Sequence, residues 1–385
     1  MELTSVSPEQ RGASSQRISP SRLQVARLRR GLTKADLANR IGVSPSTLSK
    51  WEADGPPTSR FASLLEDLVS TLDFPPAFFT ADEVDIPTLE RTLFRAGSRA
   101  TQRQKLAAIS SGVNAKILLK WLRAHFNYPS PDIPDLTGVS PAEAARYLRS
   151  IWALGDMPIP NSIQLAESKG VAVIGLPPAA SAVDAFSLRE DDQPFIFLAR
   201  RRTPEGARFD LAHELGHLIL HSKSDPDPTT DRETEANQFA AEFLIPTDVI
   251  HANLRLYPSL DDILRLKSKL KVSAIAALMA VFHAGKLSDS QFRQYAGILS
   301  SRGFRTSEPG SDLQYERSRV FDFVFSPEGG QTARSIADAT HIPVQDLNFL
   351  TLNAAASAVP GLDPKEPRIP TSASSHRPNL RIVKA

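Results

Sequence analysis

Residues 209–221 read FDLAHELGHLILH, and the interpretation of the whole chain starts from this stretch. Two histidines, His213 and His217, stand four residues apart in an otherwise apolar run, and Glu214 directly follows the first. On a helix, such positions project from one face about 5–6 Å apart, so both imidazoles can reach one metal ion. A glutamate beside that ion can take a proton from water. The pattern therefore predicts a zinc site with Glu214 as general base.

A catalytic zinc needs three protein ligands and one open position. Because the sequence contains no cysteine, the third ligand has to be His, Asp or Glu. The following segment ETEANQFAAEFLIP offers Glu233, Glu235 and Glu242. Glu233 is preferred because it stands four residues before Asn237, an amide that can orient a ligand. Glu235 is the second choice, and a solvated surface charge is the more expected role for Glu235 and Glu242.

Residues 21–50 are strongly basic, although the net charge of the 385-residue chain is only +2. Against one acid, Asp36, this stretch holds seven cations: Arg22, Arg27, Arg29, Arg30, Lys34, Arg40 and Lys50. A focused basic patch is typical of a protein that binds a polyanion.

The same region contains LTKADLANRIGVSPSTLSKWEADGPP, which predicts two short helices joined by a tight turn. Thr33 and Ser44 are candidate helix caps, and Gly42 permits the turn. In a helix-turn-helix the second helix enters the major groove of DNA. The candidates for base contacts are Ser44, Ser46, Thr47 and Lys50, and those for phosphate contacts are Arg27, Arg30 and Lys34. A helical hairpin that has a solvated basic face or binds protein is the alternative.

The remaining pattern predicts an α+β fold, mainly α. Expected are a disordered tail at 1–18, a five-helix DNA-binding domain at 19–80, a helical linker at 81–155, a metallopeptidase domain with a small sheet at 156–310, a helical region at 311–356 and a disordered tail at 357–385. His221, one turn beyond the second motif histidine, is expected to pack or cap the helix.

Two family resemblances cover much of the chain. RLRRGLTKADLANRIGVSPSTLSKWE, with FASLLEDLVSTL after it, resembles the Cro/CI-type (XRE) helix-turn-helix family over about residues 20–75. FDLAHELGHLILH followed by ETEANQFAAEFLIP is similar to the ImmA/IrrE family of gluzincin-like metallopeptidases over about 160–310. The second resemblance implies that His213, His217 and Glu233 hold zinc while Glu214 is the base.

Two further segments leave alternatives open. In gluzincins an edge strand pairs with the extended substrate, and Phe195 to Leu198 of PFIFLA could supply that strand, or could equally be a core strand. The segment ARSIADATHIPVQDLNFLT indicates a second helix-turn-helix only weakly.

Together these features predict a cytoplasmic, DNA-binding transcriptional regulator with a zinc-dependent endopeptidase domain. Its expected partners are double-stranded DNA, bound as a homodimer, and a specific protein substrate, for which a repressor is one candidate. The sequence shows neither a signal peptide nor the ~18–20 apolar residues of a membrane span, so no membrane partner is expected. Two alternatives remain: a regulator whose peptidase-like domain is a non-catalytic sensor, and a toxin–antitoxin or phage-defence component.

Overall fold

A computed structural model describes residues 17–86, 93–96, 101–180, 183–190, 192–200, 203–221 and 231–357. The structure is mainly helical with one small sheet, which confirms the expected fold class. Apart from residues 17, 18 and 357, the two predicted tails lie outside the described residues. Ile18, which belongs to the predicted N-terminal tail, is buried in the N-terminal core.

The N-terminal domain consists of five helices: α1 (Pro20–Arg29), α2 (Lys34–Arg40), α3 (Pro45–Asp54), α4 (Phe61–Leu72) and α5 (Pro76–Thr80). Thr33 and Asp36 form a capping box at the start of α2, and Ser44 caps α3. Between these helices Gly42 has a φ of +67°, a conformation that costs glycine little and other residues more. The predicted helix–turn–helix is therefore present as α2 and α3.

The segment predicted as a helical linker also contains a strand. Here β1 (Leu93–Ala96) precedes the long helix α6 (Gln102–His125) and the helix α7 (Pro141–Ile151). A four-residue strand has too few alternating positions for a pattern, and its partner strand lies far along the chain, so local periodicity does not reveal it. Helix α6 packs on α1 and buries Val113 in the N-terminal core.

The sheet has four strands in the order β1-β3-β4-β2. After α8 (Ser162–Ser168), the chain forms β2 (Ala172–Gly175), β3 (Val183–Glu190) and β4 (Gln193–Leu198). β3 runs antiparallel to both β1 and β4, whereas β2 and β4 are parallel. Since β4 lies between two strands, the interpretation of Phe195–Leu198 as an edge strand is wrong, and the core-strand alternative is confirmed.

Helices cover both faces of this sheet. On one face lie α9 (Pro204–Leu220) and α10 (Arg232–Leu244), packed against Ala185, Ile196 and their neighbours. On the other face α6 covers Phe186 and Phe197, which stack with ring centroids 4.3 Å apart. Alternate residues of β3 therefore point to opposite layers, and those on the α9 side face the motif helix.

The rest of the described chain is helical. Its elements are α11 (Thr247–Asn253), α12 (Leu260–Leu270), α13 (Ala274–His283), α14 (Asp289–Ser301), α15 (Arg319–Val324), α16 (Ala333–Thr340), α17 (Val344–Leu350) and α18 (Ala354–Ser357). Within the described ranges, none of the helices combines the length and the apolar character that crossing a membrane requires.

Candidate metal centre and nucleic-acid interface

The motif helix α9 is almost completely buried, including its polar residues. Thr203 caps its N-terminus, Pro204 occupies the first turn, and the helix continues to Leu220. His213 and His217 are 0% and 1% exposed, and Glu214 is 0% exposed. Polar side chains at such depth need partners, because burial removes the hydrogen bonds of water.

Helix α10 approaches α9 closely because of a glycine inside the motif. A Cβ atom added to Gly216 would stand 3.0 Å from Cδ1 of Phe239, so any larger residue would force the Phe239 side chain to shift. The close contact brings Glu233, in the first turn of α10, next to the two motif histidines. The third candidate ligand thus comes from the helix in which the sequence placed it.

The three candidate ligands converge on one point. Nε2 of His213 and Nε2 of His217 are 3.0 Å apart, and they lie 3.4 and 3.3 Å from the carboxylate oxygens of Glu233. In a tetrahedral zinc site with Zn–N bonds of about 2.0–2.1 Å, neighbouring ligand atoms stand about 3.3 Å apart. The observed separations fit such a site, and this cluster could hold a metal ion.

Hydrogen bonds behind the cluster fix which ring nitrogens carry protons. Oδ1 of Asn237 lies 3.0 Å from Nδ1 of His213 and accepts a hydrogen bond from it. In the neutral ring Nε2 is then unprotonated, and its lone pair is free to bind a metal ion. Glu235 accepts a hydrogen bond from Nε2 of His221 at 2.8 Å. Nδ1 of neutral His221 then accepts a hydrogen bond from Nδ1 of His217, 3.0 Å away. Nε2 of His217 is therefore also unprotonated.

Two lone pairs and a carboxylate therefore face one another. The imidazoles of His213 and His217, 3.4 and 3.3 Å away, hold the pKa of Glu233 well below its usual range, so its side chain is a carboxylate. Burial lowers the pKa of His217, which favours its neutral ring. A divalent cation would satisfy all three groups at once.

Glu214 lies beside the cluster and points to the sheet. Its Oε2 accepts a hydrogen bond of 2.7 Å from the hydroxyl of Ser187, a fully buried residue of β3. The centre is open on the side of Glu233, whose side chain is 53% exposed. Solvent therefore reaches the cluster at Glu233, whereas the two histidines and Glu214 are buried.

The other acids considered in the sequence have different contacts. Glu235 bonds to His221, behind the cluster, and Glu242 pairs with Arg146 and accepts from Thr247. His221 ends α9, as a capping residue would, and also links the second motif histidine to Glu235. Sequence reasoning missed Ser187 and the role of this link, because both depend on contacts between separate elements.

In the helix–turn–helix, the residues proposed to read bases lie at the start of α3. Ser44, Ser46 and Lys50 are exposed and Thr47 is half-buried. The hydroxyl of Ser44 accepts the backbone N–H of Thr47, so it caps the helix as well as facing outward. These four side chains share the surface that a major groove would meet.

The three cations proposed to contact phosphate have different environments. Arg27 is 5% exposed, and its guanidinium donates to Glu52 and to the carbonyl of Leu32. This placement corrects the expectation for Arg27, because a buried, ion-paired guanidinium does not reach phosphate. Lys34 remains 45% exposed, at 3.7 Å from Glu52.

Arg30 is likewise engaged inside the protein. It donates to the carbonyls of Leu72 and Asp73 and to the carboxylate of Asp346, which lies in α17. Its expected phosphate contact is corrected because these acceptors engage the guanidinium, and the side chain is 22% exposed. Asp346 of α17 is buried and forms ion pairs with Arg29 and Arg30, so this side of α17 contacts the N-terminal domain. This contact disfavours a second helix-turn-helix at α16 and α17.

Comparison with known families agrees with both parts of the molecule. Residues 166–282 match a peptidase family model described as the IrrE N-terminal-like domain, and residues 23–69 match a helix-turn-helix family model. No curated protein matches the chain. The first match runs from α8 into α13 and contains α9 and α10. The chain thus carries a peptidase-like domain and a helix-turn-helix of the type found in DNA-binding regulators, which confirms both resemblances.

Proposed function

We propose that this protein is a DNA-binding transcriptional regulator whose peptidase domain is a zinc-dependent endopeptidase that cleaves a specific protein. The observation that carries the proposal is the convergence of two unprotonated imidazole nitrogens and the Glu233 carboxylate. Their separations match a tetrahedral zinc site, and imidazole nitrogens and carboxylate oxygens are ligands that zinc takes in proteins.

The ligands would be His213, His217 and Glu233. Hydrogen bonds from neighbouring side chains orient the two histidines, and Glu233 is positioned by the first turn of α10. Asn237 orients the first histidine, and His221 with Glu235 orients the second. Such supporting hydrogen bonds fix the tautomer and the direction of each ligand. When bound, zinc would lower the pKa of water and polarise the peptide carbonyl.

Glu214 would act as the general base. Its carboxylate takes a proton from the attacking water and later delivers it to the nitrogen of the departing amine. Ser187 holds one carboxylate oxygen and so sets the direction of the other. A sensor that only bound a ligand would have no need of a carboxylate at this position, and this favours the enzyme over the sensor.

For DNA, we propose that Ser44, Ser46, Thr47 and Lys50 meet base edges and that Lys34 contacts phosphate. Their exposure on one side of α2 and α3 supports this assignment. A single helix–turn–helix reads one half-site, so a homodimer is the expected DNA-bound form. The protein substrate is proposed to be a regulator acting on the same genes, with a repressor as the first candidate.

A comparison of the wild type with Glu214→Gln tests the enzyme. The substitution keeps the shape of the side chain and leaves the three ligands in place, so both proteins should bind about one zinc. Proton transfer is lost, and cleavage should slow by roughly 10² to 10⁴. Expressed in a strain that lacks the gene, the wild type alone should generate fragments of one or a few proteins.

Three outcomes separate the alternatives. Fragments found with the wild type and absent with Glu214→Gln support the peptidase. If Glu214→Gln restores regulation in full and no protein is cut, the sensor is correct. A loss of zinc in Glu214→Gln would mean that this carboxylate belongs to the ligand set, and the proposed roles would have to be reassigned.

A further inference from the structure

The short strand β1 occupies a position that matters for the peptidase. It lies in the connection between the helix–turn–helix domain, which ends with α5, and the helix α6. Its backbone pairs antiparallel with β3, with Leu93 opposite Ser187, Phe94 opposite Phe186 and Arg95 opposite Ala185. An extended segment of the connector is thus bound along β3.

β3 is the strand that contacts the candidate centre. Ser187 of β3 donates its hydroxyl to Glu214, and α9 packs on the same face. Directly opposite residues of an antiparallel pair have Cα atoms about 4.5–5.5 Å apart. The backbone of Leu93 therefore lies beside the residue that holds the proposed general base.

One side of β3 is paired with β1. Its other side is paired with β4 along six consecutive residue pairs. An extended peptide that binds a sheet adds to a strand edge through main-chain hydrogen bonds. On β3 the edge that an incoming peptide would use is the one that β1 now holds.

We propose that β1 is bound as a peptide substrate and that the peptidase cleaves its own chain between Leu93 and Phe94. This inference rests on the proposed peptidase function and names a substrate for it. Among the peptide bonds within β1, this one adjoins the residue paired with Ser187. The connector then serves both as the link between two domains and as the site where that link is cut.

The reaction is an ordinary hydrolysis. The oxygen of water adds to the carbonyl carbon of Leu93, and Glu214 accepts the proton released from the water. The bond between this carbon and the nitrogen of Phe94 breaks, and Glu214 returns the proton to that nitrogen. The second proton of the water stays on the new carboxyl group of Leu93 and is released to solvent, which leaves a carboxylate there and a free amine at Phe94. No oxidant or further reactant is required.

Cleavage would alter how the helix–turn–helix is held. In the intact chain a covalent link joins it to the peptidase, and two non-covalent contacts assist: α1 against α6, and Arg29 with Arg30 around Asp346. After cleavage the non-covalent contacts alone would remain. Association of the DNA-binding part with the rest would then depend on protein concentration and salt.

Docking of β1 is tested first, without relying on activity. Hydrogen exchange is measured on the metal-free Glu214→Gln chain and on the same chain with Phe94→Pro and Arg95→Pro, which removes two N–H donors from β1. Amides of β3 that point toward β1 should exchange at least tenfold faster in the proline variant. A matched control, Arg95→Ala, keeps the N–H and should keep the protection. Equal exchange in all three proteins would overturn the docking.

Cleavage is tested on the full-length wild-type chain with added zinc. Mass spectrometry should find a fragment that ends at Leu93 and one that begins at Phe94, with a rate constant independent of protein concentration. The proline variant should stay intact at this bond. Glu214→Gln should slow the reaction by roughly 10² to 10⁴.

A synthetic peptide of residues 88–101 separates the two proposals. If the peptide or a cellular protein is cut while the intact chain stays whole, the self-cleavage inference is wrong and the peptidase function stands. A rate that rises with protein concentration would show cleavage between molecules and would also overturn it. If zinc does not bind and no substrate is cut, the proposed function itself fails.

Discussion

Helices α1 and α9 both bury charged or titratable side chains, and they compensate them in different ways. In α1, Arg27 pairs with Glu52 and Arg29 pairs with Asp346, so these two buried cations each have an acid as partner. In α9, His213 and His217 turn unprotonated nitrogens toward each other and toward a carboxylate. The first arrangement pairs opposite charges within the protein, whereas the second brings together three groups that could hold a metal ion.

This difference separates a structural role from a chemical one. Burial lowers the pKa of Arg29 to about 10, so the guanidinium is still charged at neutral pH and holds Asp346 as an ion pair. Such a pair joins the N-terminal domain to α17 and contributes to the fold. The α9 cluster instead has a solvent-exposed side at Glu233, whose side chain is 53% exposed.

The largest effect is expected from His217→Ala. Loss of one of three ligands should reduce the zinc content from about one per chain to nearly none, and zinc should no longer raise the temperature of unfolding. Metal analysis after gel filtration measures the content. His251→Ala, which changes an exposed histidine of α11, is the control and should keep the metal. Full zinc content in His217→Ala would remove the proposed ligand set and with it the contrast between the two helices.

Asp346→Asn tests the ion pairs that Arg29 and Arg30 form with Asp346. It leaves the guanidiniums of Arg29 and Arg30 without their buried counter-charge, and the free energy of unfolding should fall by about 3 kcal/mol. Urea denaturation measures this change. Asp73→Asn removes an acid whose side chain is 77% exposed, 3.9 Å from Arg30, and should leave stability unchanged. Equal effects of the two variants would contradict a structural role for Asp346.

Asn237→Ala tests the support behind the zinc ligands. The amide fixes the tautomer of His213, so its removal should weaken zinc binding by about 10- to 100-fold while the site itself persists. Competition with a zinc indicator measures the affinity. Gln238→Ala, an exposed neighbour on α10, should bind zinc as tightly as the wild type. Unchanged affinity in Asn237→Ala would show that the histidine is held by other contacts.

The smallest effect concerns DNA. Lys34→Ala should reduce the dependence of binding on salt by roughly one unit of slope, because one phosphate contact is lost. Arg27→Ala should lower stability and leave that slope unchanged, provided that it is measured where the variant is folded. Binding titrations on specific and random DNA at several salt concentrations give both slopes. A flatter slope for Arg27→Ala would return this residue to the DNA interface.

Local sequence patterns predicted much of the candidate site. His213 and His217 are about one helical turn apart, so one turn of α9 brings their side chains to the same face. The caps Thr33 and Ser44 accept hydrogen bonds from backbone N–H groups three residues further along the chain. The preference for Glu233 over Glu235 likewise followed from helical spacing, although its ligand role stays a prediction. Interactions over one turn are fixed by backbone geometry, and a sequence displays that geometry directly.

Only the tertiary structure decided which distant residues meet. The sequence by itself determined the helix–turn–helix, the motif helix, the strand at Phe195–Leu198 and the acids that follow the motif. It did not indicate that β1 pairs with β3 or that Ser187 donates a hydrogen bond to Glu214. Nor did it indicate that Asp346 forms ion pairs with Arg29 and Arg30. These contacts join residues far apart in the chain, and they depend on how helices and sheet pack, which no local period encodes.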